Sequence, residues 1–306
     1  MIRRQFLQKQ HLAVSTPRPS IGITSTRLFS TSPAPQSSDP KQKPATTKPH
    51  TIDPRWLTMM KRRVGRCMMF GLKPTQIDEA GGILQQLARD WRELVAGSEG
   101  YLTNETRRGL FRHNVVWGEM LMRFACLWLG YYGHVNNVTY VRYAETARVN
   151  LTRNIGIHID PANRKRWSNL LNSTGIGLIL RSIKVDYKFP MTYPDKISVY
   201  HKLVHDPTAA PSQYAFELQV IILSEARQRP AARCHEDIVT YDYKGKKKTA
   251  LPPYVMEQFK AMWELQEEAK KVWQQRIVDI ENQVRTLELE SWDRADAVED
   301  TGSAKK

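Results

Sequence analysis

Helical patterns occupy the two ends of this chain. Across residues 53–96 apolar side chains recur every three or four positions, and Gly71 and Pro74 separate two predicted helices. A longer helix is predicted over residues 253–292. Its apolar stripe consists of Trp273, Ile277, Ile280, Val284 and Leu287. The stripe is too short for an independent coiled coil, so it predicts packing on the N-terminal helices or in a dimer seam.

Strand patterns fill the middle of the chain. A first strand is predicted within residues 109–120, and residues 156–172 are predicted to form a loop. Four further strands are predicted at 176–189, 196–205, 214–223 and 232–243. With one buried helix between the first strand and the others, this order predicts an antiparallel sheet wrapped around a helix, in the α+β class.

The buried helix begins in the stretch GHVNNVTYVRYAETAR, which runs from Gly133 to Arg148. Asn137 is the predicted N-cap, because its side-chain oxygen can accept hydrogen bonds from the first-turn amides. The N-terminus of such a helix offers amide donors and the positive end of the helix dipole. Both suit a carbonyl oxygen that gains negative charge during a reaction.

This stretch resembles the hotdog-fold thioesterases of the 4-hydroxybenzoyl-CoA thioesterase type, and more distantly the plant acyl-carrier-protein thioesterases. The matching residues are Gly133, His134, Asn136, Asn137, Tyr140, Glu145 and Arg148. A weaker likeness extends over residues 114–243. The resemblance implies a hotdog fold and hydrolysis of acyl-CoA or acyl-carrier thioesters, with no separate cofactor or metal. It also implies a homodimer or a higher oligomer with the site at the subunit interface.

One departure from the family pattern concerns the catalytic acid. In the resembled enzymes an Asp stands just before the Gly-His-Val-Asn-Asn loop, but the two positions that align with it hold Leu121 and Gly130. An apolar insert, residues 121–132, occupies this place in the chain. Three interpretations of the insert stay open, namely an acyl-chain lid, a docking segment and a gene-model error.

Thioester hydrolysis needs an activated water or a nucleophilic carboxylate. Glu145 is the acid that the matching motif places on the helix, and it is the predicted catalytic residue, with Glu119 as a weaker alternative. The other predicted catalytic residues are His134, Asn136 and Asn137. The predicted substrate contacts are Gly133, Val138, Tyr140 and Arg148. A purely structural role for Glu145, such as a salt bridge with Arg142 or Arg148, is an equal alternative.

Composition adds a predicted location. Residues 1–50 are rich in Arg and Ser and contain a single acid, Asp39, as is typical of a mitochondrial transit peptide. We therefore expect a protein of the mitochondrial matrix. The further predicted divisions are a helical extension over 51–105, the hotdog domain over 106–250, the C-terminal helix over 251–295 and a disordered tail over 296–306. Three widely spaced cysteines argue against a disulfide framework and fit a reducing compartment.

The basic character of the chain supports a second hypothesis. The formal net charge is +15, part of which belongs to the leader. A basic run near Lys61 and Arg66 could bind RNA, although a solvated helix face is the commoner meaning of such a run. The alternative function is accordingly an inactive hotdog scaffold, associated with the mitochondrial ribosome, and only this alternative implies a nucleic-acid partner. A lysine-rich hairpin tip at 244–248, together with Arg227, Arg229 and Arg233, could instead attract the phosphates of coenzyme A. No apolar run is long enough to span a membrane.

Overall fold

The strand patterns form one antiparallel sheet, and helices cover both of its faces. The computed structural model describes residues 52–119, 133–209 and 212–299. The helices are α1 Trp56–Met68, α2 Pro74–Arg89, α3 Trp91–Val95, α4 Asn137–Asn154, α5 Arg164–Asn169 and α6 Pro253–Glu290. The strands are β1 Leu110–Asn114, β2 Ile176–Tyr187, β3 Lys196–Leu203, β4 Ala215–Ser224, β5 Arg229–Asp242 and β6 Lys247–Lys248. The predicted transit peptide, the insert at 121–132 and residues 300–306 lie outside the described residues.

The strand order is β1-β3-β4-β5-β2, and the short β6 pairs with β5. Every pairing is antiparallel, and β1 and β2 form the two edges of the main sheet. This sheet wraps around α4 with the long α6 at the C-terminal side, which confirms the predicted α+β hotdog class.

One face of the sheet buries α4. Tyr140, Ala144 and Ala147 on the helix share a core cluster with Val199 and Ile222 on the sheet. The backbone just before β1 comes so near to the helix that a Cβ atom added to Gly109 would lie 2.5 Å from that of Ala147. Only a glycine avoids this clash, so Gly109 allows the edge strand to pack closely on α4.

A polar cluster is buried between α4 and this face of the sheet. Arg148 Nη1 donates to Glu236 Oε1 at 2.5 Å, and the Glu236 side chain is fully buried. The His201 ring is also fully buried, with Nε2 3.7 Å from the second Glu236 oxygen, which is too far for a hydrogen bond. Burial, and then the charge of Arg148, lowers the pKa of His201 to about 3, so the ring is neutral near pH 7.

The opposite face of the sheet is covered by α1 to α3 and the C-terminal half of α6. Tyr200 and Ile221 on the strands join one core cluster with Leu87 on α2 and Ile280 and Leu287 on α6. The predicted packing of the C-terminal stripe on the N-terminal helices is therefore confirmed.

Ion pairs fasten the helical extension to the sheet. Arg233 on β5 donates two hydrogen bonds to Glu99, each of 2.6 Å. Arg92 on α3 pairs with Glu225 beside the end of β4. The extension is consequently a layer of the fold that is held to the sheet by apolar packing and by ion pairs.

The prediction of a loop over residues 156–172 is wrong, because most of this segment is helical. It contains a π-turn, a 3₁₀ turn and helix α5. Trp167 drives this order, since its buried ring packs edge-on against Tyr254 at 5.3 Å and its indole N–H donates to Asp160 Oδ2 at 2.9 Å. The first strand is also shorter than predicted and ends at Asn114.

Two leucines at the end of α6 provide a matched test of this packing. Leu287 is fully buried in the outer-face cluster, whereas Leu289 is 51% exposed. Leu287→Ala should lower the free energy of unfolding by about 2–5 kcal/mol, because it removes buried methyl groups and leaves a cavity. Leu289→Ala should change it by less than about 0.5 kcal/mol. Chemical denaturation measures both, and equal effects would show that α6 does not pack as described.

The buried histidine makes stability depend on pH. An unfolded histidine has a pKa of about 6.5. Between pH 6.5 and about 3 the unfolded chain therefore binds one proton more than the folded chain does, and stability falls as the pH falls. One proton corresponds to about 1.4 kcal/mol for each pH unit. His201→Asn should therefore flatten the decline in unfolding free energy between pH 6 and pH 4 by roughly that slope.

Urea denaturation at several pH values gives this slope directly. Burial, and also the negative charge of Glu145, raises the pKa of Glu236, which makes stability rise as the pH falls. Both glutamates are present in the original protein and in the variant, so their contribution cancels in the comparison. Identical slopes for the original protein and the variant would mean that His201 titrates normally in the folded chain.

Candidate active site

The loop before α4 is held from two sides by backbone hydrogen bonds. The Val135 amide donates to Met191 O at 2.8 Å, and the Asn136 amide donates to Glu119 O at 2.9 Å. The Val135 side chain is buried in the core beneath the helix. These contacts join the loop to the connection between β2 and β3 and to the turn after β1.

The N-cap of α4 is Asn136, so the prediction of Asn137 was wrong by one residue. Asn136 has an extended backbone, and its Oδ1 accepts from the Val138 amide at 3.2 Å. Asn137 becomes the first helical residue, and within the described part of the chain its amide N–H has no acceptor. This exposed donor lies at the positive end of the helix dipole, where it can bind an oxyanion.

Glu119 is the carboxylate that lies beside this loop. It ends the 3₁₀ turn Trp117–Glu119, which follows β1. Its Oε2 accepts from the Val116 amide at 3.0 Å and from the Tyr143 hydroxyl on α4. Among the described residues no donor contacts Oε1.

Tyr143 is held in its donating form by its surroundings. Burial raises the pKa of Tyr143, and the hydrogen bond to the Glu119 carboxylate raises it further. The phenol therefore stays protonated at physiological pH and fixes the orientation of the carboxylate. The ring also packs edge-on against His113, with centroids 5.8 Å apart.

His134 and Tyr140 differ in exposure. His134 is exposed, and its Nδ1–H donates to Val135 O at 2.9 Å, so Nε2 of the neutral ring remains an acceptor. Tyr140 is buried, and its hydroxyl accepts from the Met191 amide at 3.1 Å. Its ring contacts Tyr187, whose hydroxyl donates to Asn137 O at 3.1 Å. Tyr140 thus holds the loop from below, and His134 faces outward.

Glu145 lies away from the loop along α4. It is nine residues beyond Asn136, which corresponds to about 13 Å along the helix axis. Its side chain is exposed, and no ion-pair partner is found for it within the described ranges. The alternative of a salt bridge with Arg142 or Arg148 was therefore wrong, because Arg148 pairs with Glu236 instead.

The structure brings together only part of the predicted site. Asn136 contacts Glu119 through its backbone amide. Gly133, His134, Asn137 and Val138 flank Asn136 in the same loop and first helical turn. Glu145 and Arg148 lie farther along the helix, and Leu121 and Gly130 lie outside the described residues. The sequence signal for Glu119 was its place in Trp117-Gly118-Glu119, just before the insert.

Two further features, a metal-binding cluster and a membrane-spanning helix, are absent from the described residues. In that part of the chain no group of three or more His, Cys, Asp or Glu side chains is placed to hold a metal ion. None of its helices is long and apolar enough to cross a membrane.

The match to a known family covers α4, strands β2 to β6 and the start of α6. A family model described as the thioesterase-like superfamily matches residues 116–259. No curated protein matches the chain.

A Thermus thermophilus thioesterase solved with coenzyme A and zinc is 21% identical, with a TM-score of 0.32, over 49% of this chain and 90% of that one. A DHNA-CoA thioesterase from Staphylococcus aureus is 16% identical, with a TM-score of 0.36, over 50% of this chain and 87% of that one. Residues 116–259 are thus similar to the thioesterase-like superfamily, and the similarity includes both Glu119 and the loop that it contacts.

Proposed function

We propose that this protein is a mitochondrial hydrolase of acyl-CoA thioesters in which Glu119 is the catalytic carboxylate. The observation that carries the proposal is the attachment of Glu119 to the N-terminal half of α4, where its backbone carbonyl accepts from the Asn136 amide and its carboxylate accepts from the Tyr143 hydroxyl. Glu119 thereby supplies a candidate base and the start of α4 supplies a candidate oxyanion donor, the two groups that thioester hydrolysis requires. The mitochondrial location rests on the composition of residues 1–50.

The proposed reaction begins with a water molecule on Glu119 Oε1. The carboxylate accepts a proton from this water while the water oxygen bonds to the thioester carbonyl carbon. The carbonyl oxygen becomes negative and is stabilised by the Asn137 amide at the positive helix end. When the carbon–sulfur bond breaks, the proton on Glu119 passes to the departing thiolate. The products are the free acid and coenzyme A.

Tyr143 acts as a positioning residue in this scheme. Its hydroxyl and the Val116 amide occupy Oε2, so the carboxylate cannot rotate freely and Oε1 is the oxygen that faces the water.

In a homodimer, the assembly that the family resemblance implies, Glu145 could lie near the α4 N-terminus of the second copy. About 13 Å of helix separates it from the α4 N-terminus of its own chain. Its exposed carboxylate is therefore suited to a site completed by a second copy rather than to the loop on its own chain. Within this proposal Glu145 is the competing candidate for the catalytic acid.

The scaffold hypothesis is favoured by the absence of the family Asp at both aligned positions, by the appended helices and by the net positive charge. The basic run on α1 is partly engaged within the protein. Arg63 pairs with Glu288 and Lys61 Nζ donates to Gln228, whereas Arg66, which stacks on Trp292 at 3.8 Å, is exposed. The enzyme stays the first proposal because the family match includes Glu119 and the loop that it contacts.

Replacing the proposed base tests the assignment directly. Glu119→Gln should lower kcat for acyl-CoA hydrolysis at least about a hundredfold, because the amide cannot accept a proton from water. The assay uses a panel of acyl-CoAs of different chain lengths and the protein without residues 1–50. Glu79→Gln, at an exposed position on α2, serves as the control and should leave kcat unchanged.

Other outcomes separate the alternatives. If Glu145→Gln abolishes turnover while Glu119→Gln does not, the helix glutamate is the catalytic acid. If the unmodified protein hydrolyses no acyl-CoA but binds RNA in a salt-sensitive way, the scaffold hypothesis replaces the enzyme.

The role of Tyr143 predicts a loss of turnover without a loss of substrate binding. Tyr143→Phe removes a hydrogen bond that orients the Glu119 carboxylate, so kcat should fall about tenfold while KM changes little. Tyr241→Phe, on the distant end of β5, is the control and should change neither constant. An unchanged kcat in the Tyr143 variant would mean that this hydrogen bond is only structural.

A further inference from the structure

A cationic pocket lies between the start of α1 and one end of the sheet. Its volume is about 330 Å³. The basic side chains in its lining are Arg55, Lys188, Arg229 and Arg233, and the acid is Asp53. This lining has a net positive charge and is suited to an anionic ligand.

Two of these cations have no carboxylate partner within the described ranges. Arg233 is committed to Glu99, and Lys188 pairs with Asp186. Arg229 is half-buried and lies over the Phe189 ring at 4.3 Å, and Arg55 is exposed at the mouth. A half-buried guanidinium without an anion is costly unless a ligand or water solvates it, so Arg229 is the strongest anchor for a phosphate.

The pocket lies at the same end of the sheet as the candidate active site. Phe189 lines the pocket and also packs on the core cluster beneath α4. Lys188 directly follows Tyr187, whose hydroxyl contacts Asn137 O at 3.1 Å. The pocket lining therefore includes the chain neighbour of a residue that contacts the helix N-terminus.

The lysine-rich tip at 244–248 cannot join these cations. Arg229 begins β5 and Asp242 ends it, so the tip lies roughly 40 Å away along the strand. The predicted phosphate cluster of Lys244–Lys248 with Arg227, Arg229 and Arg233 is therefore divided between opposite ends of the sheet. Only the arginine half is near the candidate active site.

We propose that the pocket formed by Arg55, Lys188 and Arg229 binds the nucleotide phosphates of coenzyme A. This inference rests on the proposed acyl-CoA hydrolase function. It gives the N-terminal extension a direct part in substrate binding, because Arg55 comes from the segment that leads into α1.

The test is a calorimetric titration with adenosine 3′,5′-bisphosphate, which carries part of the coenzyme A nucleotide. Arg229→Glu should weaken its binding at least about tenfold, since a charge-assisted contact is lost and a repulsion is introduced. Arg227→Glu is the matched control, because this exposed arginine belongs to the same hairpin but does not line the pocket. This variant should change the affinity for the bisphosphate less than about threefold, because salt screens a charge that lies outside the pocket. Thermal unfolding confirms that both variants fold.

Three outcomes would overturn the inference. These are no binding of the bisphosphate by the unmodified protein, equal weakening by the two variants, and RNA binding that depends on Arg229 without nucleotide binding. Hydrolysis of acyl-pantetheine alongside any of these results would refute the pocket and leave the hydrolase intact. Bisphosphate binding that depends on Arg229 without any hydrolysis would support the pocket and refute the hydrolase.

Discussion

Burial of α4 against the sheet is the constraint on which the rest of the structure depends. Ala144, Ala147 and Gly109 let the helix and the edge strand approach closely, and Tyr140 closes the N-terminal end of the contact. Because the helix cannot slide without breaking this packing, its N-terminus points at the turn after β1. The backbone carbonyl of Glu119 accepts from the Asn136 amide there, and the Glu119 carboxylate accepts from the Tyr143 hydroxyl on the same helix.

The buried ion pair of Arg148 and Glu236 has both a cost and a benefit for the stability of this packing. Removing two charges from water is costly, and the close contact offsets that cost only while both partners stay in place. The second Glu236 oxygen and both His201 ring nitrogens have no hydrogen-bond partner among the described residues. Such a cluster ties the register of α4 to β3 and β5, since any shift of the helix would separate the charges.

The helical layer on the outer face changes what the sheet can do. Residues from both ends of the chain, Leu87 and Leu287 among them, cover strands that would otherwise present an apolar face to solvent. The same layer places Arg55 near Lys188 and Arg229 and so forms the cationic pocket. Packing of the extension and formation of the cationic pocket are therefore two consequences of one arrangement.

The sequence by itself determined the α+β hotdog class, the order of helices and strands, and the loop that begins α4, because periodicity and cap chemistry are local properties. It also determined that the family Asp is missing. The surroundings of the two candidate acids depended on tertiary structure. Glu145 follows the loop on the same helix, whereas Glu119 comes from a different segment and reaches α4 through contacts with Tyr143 and Asn136. The helical order of residues 156–172 likewise depended on burial of Trp167 against α6, a long-range contact that no local pattern encodes.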